Sequence, residues 1–162
     1  GPEEREKKMS AELADDELLI RRTFDAPPEL IFSLWAEEEH FRKWMGPEGF
    51  DCQHAELDFR VGGSYRGMIY SDEHGESWFG GVYREIEPNR RLVFTFAWDE
   101  GPSARNETLV TITFTERNGK TEQVFHQTPF LNVERRDSHL GGWTSAFDCI
   151  EAYVAELSRK GT

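Results

Sequence analysis

No stretch of about 18 uninterrupted apolar residues occurs in the 162-residue sequence, so no segment reads as a membrane-spanning helix. Positive charge is also scarce. Nineteen Lys and Arg stand against 31 Asp and Glu, for a formal net charge of −12. The basic residues are scattered, and no run exceeds two residues, as at Arg90-Arg91 and Arg135-Arg136. Phosphate backbones and anionic lipid surfaces demand clustered Lys and Arg, so nucleic acid and membrane surfaces are poor partners. Only Cys52 and Cys149 are present, without CxxC spacing. They read as buried small residues rather than a disulfide framework, although spacing alone leaves a bridge open. Signatures of chemistry are missing too. There is no GxSxG elbow and no DxD pair, and His40, His54, His74, His126 and His139 form neither HxxxH nor HxH. The N-terminus lacks the apolar core of a signal peptide, which predicts a cytoplasmic protein. No cofactor and no metal is expected.

What is present is enough apolar and aromatic residue for one core, 37% and 13% of the chain. Residues 1–16 are polar and read as a disordered or tag-derived tail, with Gly1-Pro2 as a scar and Met9 as a candidate start. Residues 17–160 read as a single domain. Period-2 alternation predicts a first strand over 17–24. Asp25-Ala26-Pro27-Pro28 opens a helix, with Asp25 as candidate cap and Leu30, Ile31, Leu34 and Trp35 as its apolar stripe. A second short helix spans 37–44 and is stopped by Gly46-Pro47. Strands follow over 51–59, 64–70, 77–87, 91–98, 107–116 and 121–128. Turn chemistry separates them, and Asn118-Gly119 is the clearest hairpin signal. Short turns make these strands antiparallel. A long helix over 135–160 carries Leu140, Trp143, Phe147, Ile150, Val154 and Leu157 on one face, with Gly161 as its terminator. The fold class is therefore α+β, a six-strand run covered by one long helix.

Six segments in this order resemble a known family: Arg22-Thr-Phe-Asp-Ala-Pro27, Trp44-Met-Gly-Pro47, Leu57-Asp-Phe-Arg-Val-Gly-Gly63, Gly81-Val-Tyr-Arg-Glu-Ile86, Pro88-Asn-Arg-Arg-Leu92 and Gly141-Gly-Trp143. The sequence is similar to the homologues of the activator of the 90-kDa heat-shock-protein ATPase, a branch of the START-like superfamily that includes the birch-pollen allergen. The resemblance covers residues 17–158. It implies a helix-grip fold, with a curved seven-stranded antiparallel sheet around the C-terminal helix and two short helices after the first strand. It implies a pocket between them but no single activity, because members include lipid carriers, metabolite binders, cyclases and cochaperones. Gln123 departs from the apolar residue usual in the family.

Aromatic residues supply the candidate walls of that pocket. Leu92, Phe94, Phe96 and Trp98 share one strand face, and Trp143 and Phe147 stack on the last helix. Trp78 and Phe125 lie on other strands. Trp44 is a candidate lid, or a structural corner. Tyr65, Arg66, Gln123 and Gln127 are expected to point inward. The candidate ligand-binding set is thus Trp44, Tyr65, Trp78, Phe94, Phe96, Trp98, Phe125, Gln127, Trp143 and Phe147. Cys52, His54 and Glu56 share a strand face, but side chains at i and i+2 stand roughly 6–7 Å apart, which argues against a Cys–His nucleophile. Gly62-Gly63 reads as a bend in the sheet. Gly141-Gly142 within a helix either permits close backbone approach or shapes the pocket floor beside Trp143. The leading expectation is non-enzymatic binding of a small hydrophobic or aromatic molecule. The alternatives are a cochaperone-like interaction domain in the stress response, and a cyclase or hydrolase using polar groups such as His54, Arg66 or Gln127.

Overall fold

Alternation sets the first strand of the computed structural model, which describes residues 13–160. In β1 (Leu18–Phe24), Leu18, Ile20 and Phe24 are buried and the residues between them are not. Pro28, which has no N–H to leave unpaired, opens α1 (Pro28–Ala36). The expected cap at Asp25 is not used. Pro27 holds the cap position, and no side chain bonds the helix start there. The chain passes through Glu37 into α2 (Glu38–Trp44), acidic in its first turn and basic in its last, as the helix dipole favours.

Six strands follow: β2 (Asp51–Leu57), β3 (Ser64–Ser71), β4 (Gly75–Glu87), β5 (Arg91–Trp98), β6 (Thr108–Arg117) and β7 (Lys120–Thr128). With β1 they form one seven-stranded sheet in the order β1-β7-β6-β5-β4-β3-β2. Every adjacent pair is antiparallel. The β6–β7 hairpin turns on Asn118 (φ 56°) and Gly119 (φ 80°), the positive-φ pair that the sequence predicts. Gly62-Gly63 ends a tight turn closed by the Gly63 N–H donating to the Arg60 carbonyl at 2.8 Å, and the Gly62 N–H donates across to the Tyr83 carbonyl of β4 at 2.8 Å.

The last helix, α3 (Val133–Arg159), starts two residues before the expected position because the Asn132 side chain caps it, accepting from the Arg135 N–H at 2.9 Å. Its buried stripe is Trp143, Ala146, Phe147, Ile150 and Val154. Leu140 and Leu157, expected to extend that stripe, are 37% exposed and half-buried respectively, so the grip is shorter than the periodicity suggests. Arg22 fastens the β1 edge to α3 through Asp148 at 2.6 Å and Glu151 at 2.7 Å. Of the expected tail, residues 1–12 lie outside the described residues. At its end, Asp16 accepts from the Phe130 N–H at 2.9 Å. Gly161 also lies outside the described residues.

Candidate functional site

The space between sheet and α3 divides into two regions. The deep region is filled. Trp35 projects from α1 into its centre, with ring centroids 4.6 Å from Trp44, 6.0 Å from Phe94, 6.2 Å from Phe125 and 6.1 Å from Trp143. Phe125 and Phe147 are fully buried beside it. The interior space left among Trp35, Tyr65, Phe79 and Phe94 is about 10 Å³, scarcely enough for a water molecule. Trp44 belongs to this packing and is not a lid. It is 1% exposed, and its indole N–H donates to the Leu34 carbonyl at 2.8 Å. Phe94, Phe125 and Phe147 are likewise core residues rather than walls of an open space.

The second region is open. A cleft of about 850 Å³ lies between the start of β4, the end of β5 and the first half of α3. That volume falls in the range of small-molecule sites. Phe96 and Trp98 form its sheet wall, and Arg135, Ser138, His139, Gly142, Trp143 and Ala146 form its helix wall. Met45, Pro47 and Phe50 border it from the segment after α2, and residues 99–103 close one side. The His74 ring stacks on Phe50 with centroids 5.8 Å apart and planes within 1° of parallel.

One hydrogen-bonded relay joins the two walls. The indole N–H of Trp98 donates to His139 Nε2 at 2.9 Å, and His139 Nδ1 lies 2.6 Å from the Arg135 carbonyl. An indole N–H only donates and a carbonyl only accepts, so the neutral imidazole must carry its proton on Nδ1. Burial holds the His139 pKa below the usual histidine range, which favours that neutral form. Phe130 packs on the imidazole at 4.8 Å.

Several expected site residues lie elsewhere. Phe79 is fully buried in the core, so neighbouring Trp78 projects from the opposite face of the sheet. Its ring is covered there by Arg66 at 4.8 Å and lies 5.2 Å from His54, while the residue remains among those that line the cleft. Arg66, expected to point inward, is on that outer face, bonded to Asp99 at 3.2 Å. His54 is on the outer face too. A β-bulge between Cys52 and His54 pairs them with consecutive residues Ile69 and Met68, which turns the two side chains to opposite faces. The expected shared face of Cys52, His54 and Glu56 therefore does not form. His54 instead sits 3.6 Å from Glu56. Burial raises the Cys52 thiol pKa, the wrong direction for a nucleophile. Among the described residues, no cluster of three or more His, Cys, Asp or Glu is placed to hold a metal ion.

Tyr65, Gln123 and Gln127 do point inward, but into the filled region. The Tyr65 hydroxyl donates to the Thr95 carbonyl at 2.6 Å. Gln127 accepts from the Trp143 indole and donates to the Thr108 hydroxyl, both at 2.8 Å. Gln123 accepts from the Trp35 indole at 3.0 Å, while its buried amide nitrogen has no partner among the described residues. These glutamines orient the tryptophans of the core. The sequence reading missed His139, Arg135, Ser138 and the 99–103 loop. His139 was legible in one respect: it stands four residues before Trp143, on the same helical face.

Three comparisons bear on this architecture. The comparison with curated proteins finds no match. Among solved structures, a Chromobacterium violaceum protein is 26% identical, covers 85% of this chain and 96% of its own, and superposes with a TM-score of 0.76. A Silicibacter pomeroyi protein titled AHSA1 is 24% identical over 86% of this chain and 97% of its own, also at 0.76. A Rhizobium leguminosarum protein is 25% identical over 86% and 94%, at 0.73. The family model described as "Activator of Hsp90 ATPase homolog 1-like protein" matches residues 25–155, so the chain belongs to that family.

Proposed function

We propose that the protein binds a small hydrophobic or aromatic molecule, without chemical conversion, in the cleft between the β4–β5 end of the sheet and α3. The observation that carries this reading is the contrast in occupancy. The deep interior retains about 10 Å³, while the cleft beside it holds about 850 Å³ with Phe96, Trp98 and Trp143 on its walls. Flat rings on facing walls favour an apolar or aromatic guest by burial and stacking. The cytoplasm is the proposed location. A thermal-shift screen of lipophilic compounds tests the reading. Binders should raise Tm, and Trp98→Ala should remove that rise. A library without any stabilising compound overturns it.

A cochaperone-like role is a second reading, prompted by the family's description and by exposed apolar residues at the start of α3. Leu131, Val133 and Leu140 are 57%, 39% and 37% exposed. Stimulation of a chaperone ATPase by the protein, lost when Leu131 and Val133 become serine, would support it.

A further inference from the structure

Two adjacent glycines interrupt α3 at Gly141 and Gly142. Glycine is the least favourable residue after proline in a helix interior, so such a pair calls for a reason. Close packing is one reason, and it operates elsewhere in this molecule. A Cβ at Gly67 would stand 2.5 Å from the Phe79 ring, and one at Gly81 would stand 1.9 Å from the Thr95 carbonyl oxygen. It does not operate in α3. An added Cβ at Gly141 or Gly142 would meet no heavy atom of the described residues within 4 Å beyond its chain neighbours and the adjacent turns of its own helix backbone. Positive φ is the other usual reason, and neither glycine has it. What remains is position. Gly141 is exposed, whereas Gly142 borders the cleft between Ser138 and Ala146, its neighbours at four-residue spacing on the same face.

We propose that Gly142 is the specificity-determining position of the cleft: its missing side chain lets a planar, fused-ring molecule lie flush against α3, opposite Phe96 and Trp98. A side chain at 142 would project into the open volume rather than into protein. Around Gly142 the helix therefore presents bare backbone flanked by Ser138 and Ala146, with the flat Trp143 ring beside it, and the sheet presents Trp98 with Phe96 beneath. Two flat walls favour a flat ligand over a branched or globular one of equal volume.

The proposal rests on the cleft being a ligand site, and the experiment separates the two. The probe is Nile red, a neutral planar fused-ring dye, titrated by fluorescence against the wild type, Gly142→Ala, Gly142→Leu and Gly141→Ala. Both alanine variants should raise Tm by roughly 2–4 °C, because each replaces a helix glycine that nothing crowds. Gly142→Leu should weaken Nile red binding by ~10-fold or more, and Gly141→Ala should leave it unchanged. Failure of the wild type to bind the dye would overturn this proposal, whereas the ligand reading falls only if the lipophilic library also yields no stabilising compound. Wild-type binding that Gly142→Leu leaves unchanged would overturn the Gly142 assignment alone. A fall in Tm on Gly142→Ala would show that the glycine is needed by the fold, which also overturns the assignment.

Discussion

The filled interior and the open cleft both carry aromatic rings and share a boundary at Met45, Phe96 and Trp143, although the cleft adds charged groups such as Glu76, Glu100 and Arg135. They differ in what reaches them. α1 sends Trp35 into the interior, where it meets five other aromatic rings within 6.2 Å. Among the described residues no comparable side chain enters the cleft, whose helix wall is small at Ser138, Gly142 and Ala146. An aromatic lining therefore does not make a cavity. The residue that occupies the centre decides, and here it comes from the first short helix.

The comparison can be broken most sharply at Trp35. Trp35→Ala should destabilise the fold by about 3–5 kcal/mol, through lost burial and the void left behind. Trp98→Ala, at the half-buried cleft wall, should cost clearly less. Chemical denaturation of both variants checks the order, and equal losses would mean that the cleft wall is packed as tightly as the core.

The two buried glutamines give the next largest effect. Gln127→Met leaves the Trp143 indole N–H without its acceptor, while the Thr108 hydroxyl keeps its bond to the Phe96 carbonyl, and should cost about 1–3 kcal/mol. Gln123→Met removes one bond to Trp35 but also removes an amide nitrogen that is already unpartnered, so its cost should be smaller. A larger loss for Gln123→Met in urea titrations would contradict the hydrogen-bond assignment.

The cleft should also respond to pH where the interior does not. The folded state lowers the His139 pKa, so the unfolded chain takes up its proton first as pH falls. Stability from this residue is fully present above the unfolded value of about 6.5 and is lost as pH drops through the lower folded value. A proton on Nε2 would face the Trp98 N–H, donor against donor. Trp98 emission should therefore change in that acid window, and His139→Leu should abolish the change. The smallest effect belongs to the exposed pair where the outer face meets the edge of the cleft. Asp99, held below the usual carboxylate range by its bond to Arg66, is solvent-exposed there, and Asp99→Asn should alter stability by less than about 1 kcal/mol.

Much of the fold was legible because hydrophobic periodicity is local. β5 lies where its alternation placed it, and the other strands differ by one or two residues at their ends. The site was less legible. Trp98 opens on the cleft, with the buried rings of Phe96 and Trp143 at its base, whereas Phe94, Phe125 and Phe147, with similar local patterns, do not reach it. Strand parity would have turned Trp78 outward once Phe79 was assigned to the core. No local rule shows the bulge that separates Cys52 from His54.

The sequence by itself determined the elements, their antiparallel order and which faces are apolar, because each depends on neighbours within a few residues along the chain. Only the tertiary structure decided that Trp35 plugs the interior, that Trp98 and His139 meet across 41 positions of chain, and that Gly142 faces open space. Those outcomes depend on how distant elements pack. A side chain's pattern says which way it faces, and only the facing element determines whether it finds a partner or a void.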